Sequence, residues 1–342
     1  MKALVVSAVA LLAFLLVPVW VQSPYALHIF ILLFMAVALG ESWNVIGGFA
    51  GQYSVGHSAW YGLGAYGAFI LLQRNATPPW KGVWVAVAVA VVVALAVGWI
   101  TFRLRGPYFV LASIAVAEVI RLLALNWKDL TNGAEGILAS DIPPLKLGET
   151  VITDWNSKIP YYYMGLAMAV FCIAVNVVVK RSKLGYYLQA IREDQDAAHS
   201  LGIPLTLYKN FALLISAACT ALAGSFAAFY VGFIDPQAAF SLSDVSVQVV
   251  LICIIGGIGT VTGPLIGAVV LVLLSEALRS NLIAQGLFHL GLSETSPAGM
   301  FLKENLAHAH VLIYGILVIV VILFMPDGFV GFFGTRLRRK AR

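Results

Sequence analysis

Gly82-Val-Trp-Val-Ala-Val-Ala-Val-Ala-Val-Val-Val-Ala-Leu-Ala-Val-Gly-Trp-Ile-Thr-Phe102 carries no charge, and Arg103-Leu-Arg105 follows it at once. Wound as a helix at about 1.5 Å per residue, such a run crosses the roughly 30 Å hydrocarbon layer of a bilayer. A surface helix of a soluble domain is polar on one face, whereas this one is apolar all round. Similar runs lie on either side of it, at about 3–21, 27–46, 51–73, 107–126, 160–180, 210–233, 243–260, 262–284 and 306–325. The fold class expected is all-α: a polytopic membrane protein of about ten transmembrane helices, forming one transmembrane domain over 1–342.

Composition agrees. Of 342 residues, 61% are hydrophobic and 11% charged, and the mean hydropathy is +0.93. Soluble domains average roughly 45–50% apolar and about 25% charged. Too few polar side chains exist to coat a soluble surface, which excludes a soluble enzyme, a nucleic-acid binder and a disordered chain. The net charge of +5 sits in the connections. Lys180, Arg181, Lys183, Arg192 and Lys209 mark one, Arg103 and Arg105 another, and the tail 326–342 ends in Arg336, Arg338, Arg339, Lys340 and Arg342. With ten spans all three fall on one side, and basic residues mark the cytoplasm. The turn 234–244 has Asp235 and Asp244 but no Lys or Arg, as expected outside, so both termini are expected in the cytoplasm. The first run is longer than the 7–15 residues of a signal core, and Pro24 disfavours cleavage after Ser23; it reads as a retained helix. Cys172, Cys219 and Cys253 lie within apolar runs and read as small core residues, with no disulfide framework and no metal site.

Two polar excursions interrupt the spans. The external loop at about 127–159 is charged around Pro143-Pro144, and a second external loop covers 285–305. The internal segment, about 181–209, is the most polar. Within it Gln189-Ala-Ile-Arg-Glu-Asp-Gln-Asp-Ala-Ala-His-Ser-Leu-Gly202 predicts one helix ending at a glycine stop, with Pro204 beyond. It is too polar to span. One reading lays it on anionic lipid, held by Lys180, Arg181 and Lys183. However, Arg192, Glu193, Asp194 and Asp196 give it both charge signs, and Ala197, Ala198 and Leu201 form a small apolar side that suits a groove in a partner protein.

No Gly-x-x-x-x-Gly-Lys-Ser/Thr occurs, so no P-loop is present. Gly62-Leu-Gly-Ala-Tyr-Gly67 matches Gly-x-Gly-x-x-Gly but follows no strand and lies in an apolar run, where the dinucleotide reading fails. His308 and His310 are two apart, a poor metal spacing on a helix. Charges inside spans are costly and commonly functional. Glu118 and Arg121 share a helix face, as do Glu276 and Arg279. These pairs line an outward vestibule, or else are structural ion pairs with the arginine snorkelling outward. Asn44, Gln52 and His57, with Glu41, form a second polar cluster beside a translocation path, where interhelical hydrogen bonding is the alternative role. Gly51 and Gly56, and later Gly256, Gly257, Gly259 and Gly263, allow close packing or broken helices. Gly106-Pro107 before Glu118 and Arg121 is echoed by Gly263-Pro264 before Glu276 and Arg279.

Several of these blocks together resemble the branched-chain amino acid ABC transporter permease family, LivM type. Arg192 to Ile203, Tyr208-Lys209 and Ile215-Ser-Ala-Ala-Cys-Thr-Ala-Leu-Ala-Gly224 are similar to its cytoplasmic coupling segment. Asn44 to Ala59 with Gly64-Ala-Tyr66 resembles its first glycine block, Arg105-Gly-Pro-Tyr-Phe109 its second, and Gly256 to Ala268 its late one. The likeness runs from about residue 40 to 270. In the external loop Thr131-Asn132-Gly133 stands where the family pattern has Thr-Gly-Gly, and the resemblance leaves the solute open among branched-chain and other amino acids, urea and small carboxylates. It implies a transport subunit without catalysis or cofactor of its own, with ATP and Mg on two cytoplasmic ATPase subunits that grip the coupling helix. A second homologous permease, a periplasmic solute-binding protein and the lipid bilayer complete the implied partners, in a bacterial inner membrane. The alternative is an ion-gradient-driven secondary transporter or channel.

Overall fold

The computed structural model describes residues 2–75, 77–139 and 157–279, with short pieces between 142 and 155 and between 315 and 331. The chain begins with α1 (Lys2–Trp20) and α2 (Pro24–Trp43), which runs on into a π-helical turn, Asn44–Phe49. Next come α3 (His57–Asn75), α4 (Pro79–Thr101), α5 (Pro107–Asn126) and the single turn α6 (Lys128–Thr131). A 3₁₀ turn, Gly133–Glu135, leads to β1 (Ile137–Leu138), β2 (Lys146–Leu147) and β3 (Thr150–Val151). Then follow α7 (Lys158–Arg181), α8 (Lys183–Glu193), α9 (Gln195–Ser200) and α10 (Leu205–Val231). After β4 (Phe233–Ile234) and α11 (Pro236–Ala239), a second π-helical turn (Leu242–Val247) opens α12 (Gln248–Gly256), and α13 (Gly263–Arg279) follows.

Among the described residues, six helical stretches are long and apolar enough to cross a membrane: Pro24–Phe49, Pro79–Thr101, Pro107–Asn126, Lys158–Arg181, Leu205–Val231 and Pro236–Gly256. Leu11–Trp20 and Gly263–Ala277 are shorter and also apolar. The protein is all-α and polytopic. Proline opens α2, α4 and α5 at the first helical positions, where its missing N–H costs nothing. The strands are two-residue pairings that fasten loops: β1 to β4, antiparallel with Ile137 opposite Ile234, and β2 to β3. Most of the span expected at 306–325, the loop 285–305, His308, His310 and the tail beyond 331 lie outside the described residues.

Two expected helices are corrected. The third begins at His57 rather than 51, because Gly51 takes φ +65° and residues 51–56 are not helical. The helix expected over 189–202 is two helices. Asp194 sits between them in extended conformation (φ −154°, ψ 115°), and its Oδ1 accepts the amides of Asp196 at 2.8 Å and Ala197 at 3.0 Å. An aspartate that caps the first turn of a new helix cannot continue the old one.

The chain divides into two compact units, Met1–Val250 and Leu251–Arg342. In the first, α10 lies at the centre, packed on α2, α3 and α4. Lipid tails are as apolar as leucine, so burial alone does not drive helices together; small residues that permit close backbone approach do. A Cβ on Gly64 would overlap the Ala221 carbonyl, and one on Gly224 would overlap that of Tyr61. Ser225 Oγ donates across the same seam to Gly64 O at 2.8 Å. Phe14, Phe30, Phe34 and Tyr162 meet edge to face among α1, α2 and α7. In the second unit the stretch 251–256 of α12 and α13 form a hairpin. A side chain on Gly256 would overlap the Gly263 carbonyl, and one on Gly267 that of Ile252. Thr260 Oγ1 ties the turn, donating to Gly257 O at 2.9 Å and accepting from Gly263 N at 3.0 Å.

Candidate functional site

The polar segment between α7 and α10 is folded onto the bundle rather than hanging from it. Ser182 caps α8, accepting the Gly185 amide, and α8 buries Leu188 and Ile191. One residue on, the Arg192 guanidinium donates to Gly48 O at 2.6 Å, inside the π-helical turn that ends α2. The same arginine stands against Gly51: a Cβ there would come within 3.0–3.3 Å of its Cγ, Cα and Cβ. Gly51 thus answers two demands, a left-handed φ and a close neighbour. Lys180 lies over the Phe49 ring, 6.0 Å from its centroid. The α9 side is held by Arg105, which donates to Asp196 Oδ1 at 2.7 Å, and by Lys209 Nζ, which donates to Gln195 Oε1 at 2.7 Å.

Three separate elements therefore meet this segment: the break between α2 and α3, the α4–α5 connection and the first turns of α10. π-turns commonly mark functional sites, and here the ladder of α2 is already irregular where Arg192 grips it. Gln52 and Gly51 border an open, mainly apolar cavity of about 470 Å³ that Gln195 and the Gly106-Pro107 turn also line.

The expected coupling residues separate into two sets. Glu193, Asp194, Asp196, Ala197, Leu201 and Gly202 are exposed, Leu201 to 82%. Ala198 is buried within the chain, so the apolar side offered outward consists of Ala197 and Leu201 alone. Gly202 takes φ +85°, and its amide donates to His199 O at 2.9 Å. The stop is where a glycine stop was expected.

Asn44 and His57 are buried and bonded inside the chain. Asn44 Nδ2 donates to Asn176 Oδ1 at 3.3 Å, Asn176 Nδ2 donates to Glu41 O at 2.8 Å, and His57 Nε2 pairs with Ser216 Oγ at 2.7 Å. Gln52 Nε2 donates to Ala50 O at 3.1 Å. Gly56 packs on the Ser113 carbonyl, and Ser113 Oγ accepts the Val55 amide at 3.0 Å, so α5 seats on the break. Glu41 is buried, and its two carboxyl oxygens have no hydrogen-bond partner among the described residues.

Glu118 and Arg121 form a fork: Nε to Oε2 at 2.9 Å and Nη2 to Oε1 at 2.6 Å. Their side chains are 43% and 24% exposed. Glu276 is on α13, while the Arg279 side chain lies outside the described residues. Gly257 (φ +126°), Gly259 (φ +77°), Gly256 and Gly263 all belong to the α12–α13 hairpin. In the loop after α6, Asn132 has φ +61° and its Nδ2 donates to Gly136 O at 2.7 Å. Asparagine tolerates the left-handed region that glycine favours, so this departure from the glycine pattern keeps the backbone turn.

Sequence reasoning gave no site role to Asn176, Ser216 and Gln195, and read Arg105 only as a topological marker and as the start of the second glycine block. Asn176 had a signal, an amide within the apolar run of α7; Arg105 and Gln195 find their partners only through tertiary structure.

The matches to known proteins fit this arrangement. The family model described as branched-chain amino acid transport system / permease component covers residues 4–322. The chain is 30% identical over 267 residues to the high-affinity branched-chain amino acid transport system permease protein LivM of Salmonella typhimurium, covering 71% of this chain and 61% of that protein. The LivM protein of Escherichia coli K12 is 29% identical over the same shares. LivH of Escherichia coli K12 is 24% identical over 87% of this chain and 94% of its own length. The chain thus spans about three-fifths of the LivM relatives it matches. No solved structure matches it. On a family match of this extent, the chain belongs to the permease-component family of branched-chain amino acid transport systems.

Proposed function

We propose that the chain is the membrane-spanning subunit of an ATP-driven importer for branched-chain amino acids or a related small solute, working by alternating access. The single observation that carries this is the Arg192–Gly48 contact, which joins a charged surface segment to the irregular turn of a central span. In this reading two cytoplasmic ATPases hold the exposed side of α9, with Leu201 and Ala197 outermost. Their closure moves α8–α9, and Arg192 carries the displacement to the α2–α3 break, biasing the bundle between two arrangements. A second permease faces α5 and the Glu118–Arg121 pair, and a periplasmic binding protein delivers the solute. The remaining expectations, ten spans with both termini cytoplasmic in a bacterial inner membrane, belong to the same proposal.

The test is to purify the tagged chain with its partners, reconstitute it, and measure ATP hydrolysis and solute uptake together. Arg192→Ala removes a charge-assisted hydrogen bond of about 1.5–3 kcal/mol. Uptake per ATP hydrolysed is expected to fall by about tenfold or more, with the ATPases still attached. Unchanged coupling in the variant, or solute movement without ATP by the chain alone, would favour the secondary transporter or channel instead.

A further inference from the structure

Lys209 is one of the largest fully buried side chains of the protein, 1% exposed. Its ammonium has three protons to place, and one goes to the neutral amide oxygen of Gln195 at 2.7 Å. Among the described residues no carboxylate pairs with it; the ion pairs there are Arg105–Asp196 and Arg121–Glu118. Buried charges are ordinarily paired, because removing an ion from water costs several kcal/mol that a neutral partner does not return.

The surroundings deepen the imbalance. Lys209 lines a cavity of about 370 Å³ together with Arg103, Arg105, His199 and the first turn of α10. Arg105 is close enough for its charge to act on Lys209. Asp196 already answers Arg105, whereas Arg103 is exposed and in no ion pair among the described residues. No side chain caps the first turn of α10, so its amides add positive potential at the cavity wall. The cations come from the α4–α5 connection and α10, which fixes their spacing independently of α9.

We infer that this cavity binds a phosphate-class anion, its phosphoryl oxygens held by Lys209 at the back and Arg103 at the mouth. The cavity lies between the polar α8–α9 segment and the ends of spans α4 and α10, a depth reached both by an anionic phospholipid headgroup and by free phosphate. The anion supplies the missing counter-charge and wedges α9 against the bundle. The inference does not depend on the coupling role of Arg192.

Thermal unfolding of the purified full chain tests it. The chain is placed in nanodiscs of phosphatidylcholine, in nanodiscs containing phosphatidylglycerol, and in phosphatidylcholine nanodiscs with inorganic phosphate replacing chloride at fixed ionic strength. Occupancy should raise the midpoint by about 2–4 °C. A rise with phosphatidylglycerol alone identifies a lipid headgroup; a rise with inorganic phosphate identifies a free anion. Arg103→Ala, at an exposed position, should weaken the apparent affinity by about tenfold, and Lys209→Met should remove the response. No rise with either probe overturns the site, as does a full rise retained in both variants.

Discussion

Helices α5 and α10 have nearly equal mean hydropathy yet opposite positions. In the most apolar window of α10, 72% of residues are buried, against 22% for α5. The difference lies in side-chain volume. α10 buries a run of Ala, Ser, Cys, Thr and Gly, which lets α3 approach to backbone contact. α5 turns Leu111, Val119, Leu122 and Leu123 outward and packs through Phe109, Ser113, Ala117 and Ala124. Hydropathy therefore finds a span, while residue size tells an interior span from a peripheral one, as expected where packing rather than burial holds helices together. Polar groups divide less cleanly. In α10, Ser216, Thr220 and Ser225 bond within the chain, while among the described residues Lys209 has no carboxylate partner and Asn210 Oδ1 no hydrogen-bond partner. The fork of α5 is partly exposed.

That contrast can be broken first at Gly224. Gly224→Leu would drive a side chain into the Tyr61 carbonyl and part α3 from α10, at about 3 kcal/mol. The measurable result is loss of the monodisperse peak when detergent extracts are sized. Leu123→Ala on the exposed side of α5 is expected within about 0.5 kcal/mol of wild type; equal damage from both would erase the distinction between the two helices. Glu118→Gln sharpens it. In the isolated chain a partly exposed pair contributes no more than about 1 kcal/mol, so the unfolding midpoint should barely move while uptake by the assembled transporter falls several-fold. A midpoint loss as large as that of Gly224→Leu would make the fork a structural element of this chain. Arg105→Ala gives the smallest effect. Its bridge to Asp196 is 57% and 78% exposed, and the stability change should lie near 0.5 kcal/mol and shrink in high salt.

Much of this architecture is legible in the residues themselves. The run read as 107–126 is α5, with the same ends, and 160–180 lies within α7. These boundaries are set by Gly-Pro and basic residues, which are local signals. The break between α2 and α3 was legible in part: separate runs end at 46 and begin at 51, but the non-helical stretch on to His57 and its contact with Arg192, more than a hundred residues away, are tertiary. Arg192-Glu-Asp-Gln-Asp likewise has a helical composition, and the choice of Asp194 as a cap is made by the docking of α9 on Arg105 and Lys209. Of the site, the polar residues could be found one at a time; their pairing, Asn44 with Asn176 and His57 with Ser216, is tertiary.

The pairing of β1 with β4 has a kinematic consequence. Ile137 lies opposite Ile234, and the Ala139 amide donates to Gly232 O at 2.9 Å, so the connection leaving α5 is stitched by backbone to the end of α10. At its other end α5 has no strand pairing and is held by the close approach of Gly56 to the Ser113 carbonyl, by the Val55 amide donating to Ser113 Oγ, and by Arg105 donating to Asp196. A rod pinned at one end and loosely tethered at the other swings rather than slides. In the proposed transport cycle, a tilt begun at the α9 end would carry Glu118 and Arg121 with it while the stitched end stays in place.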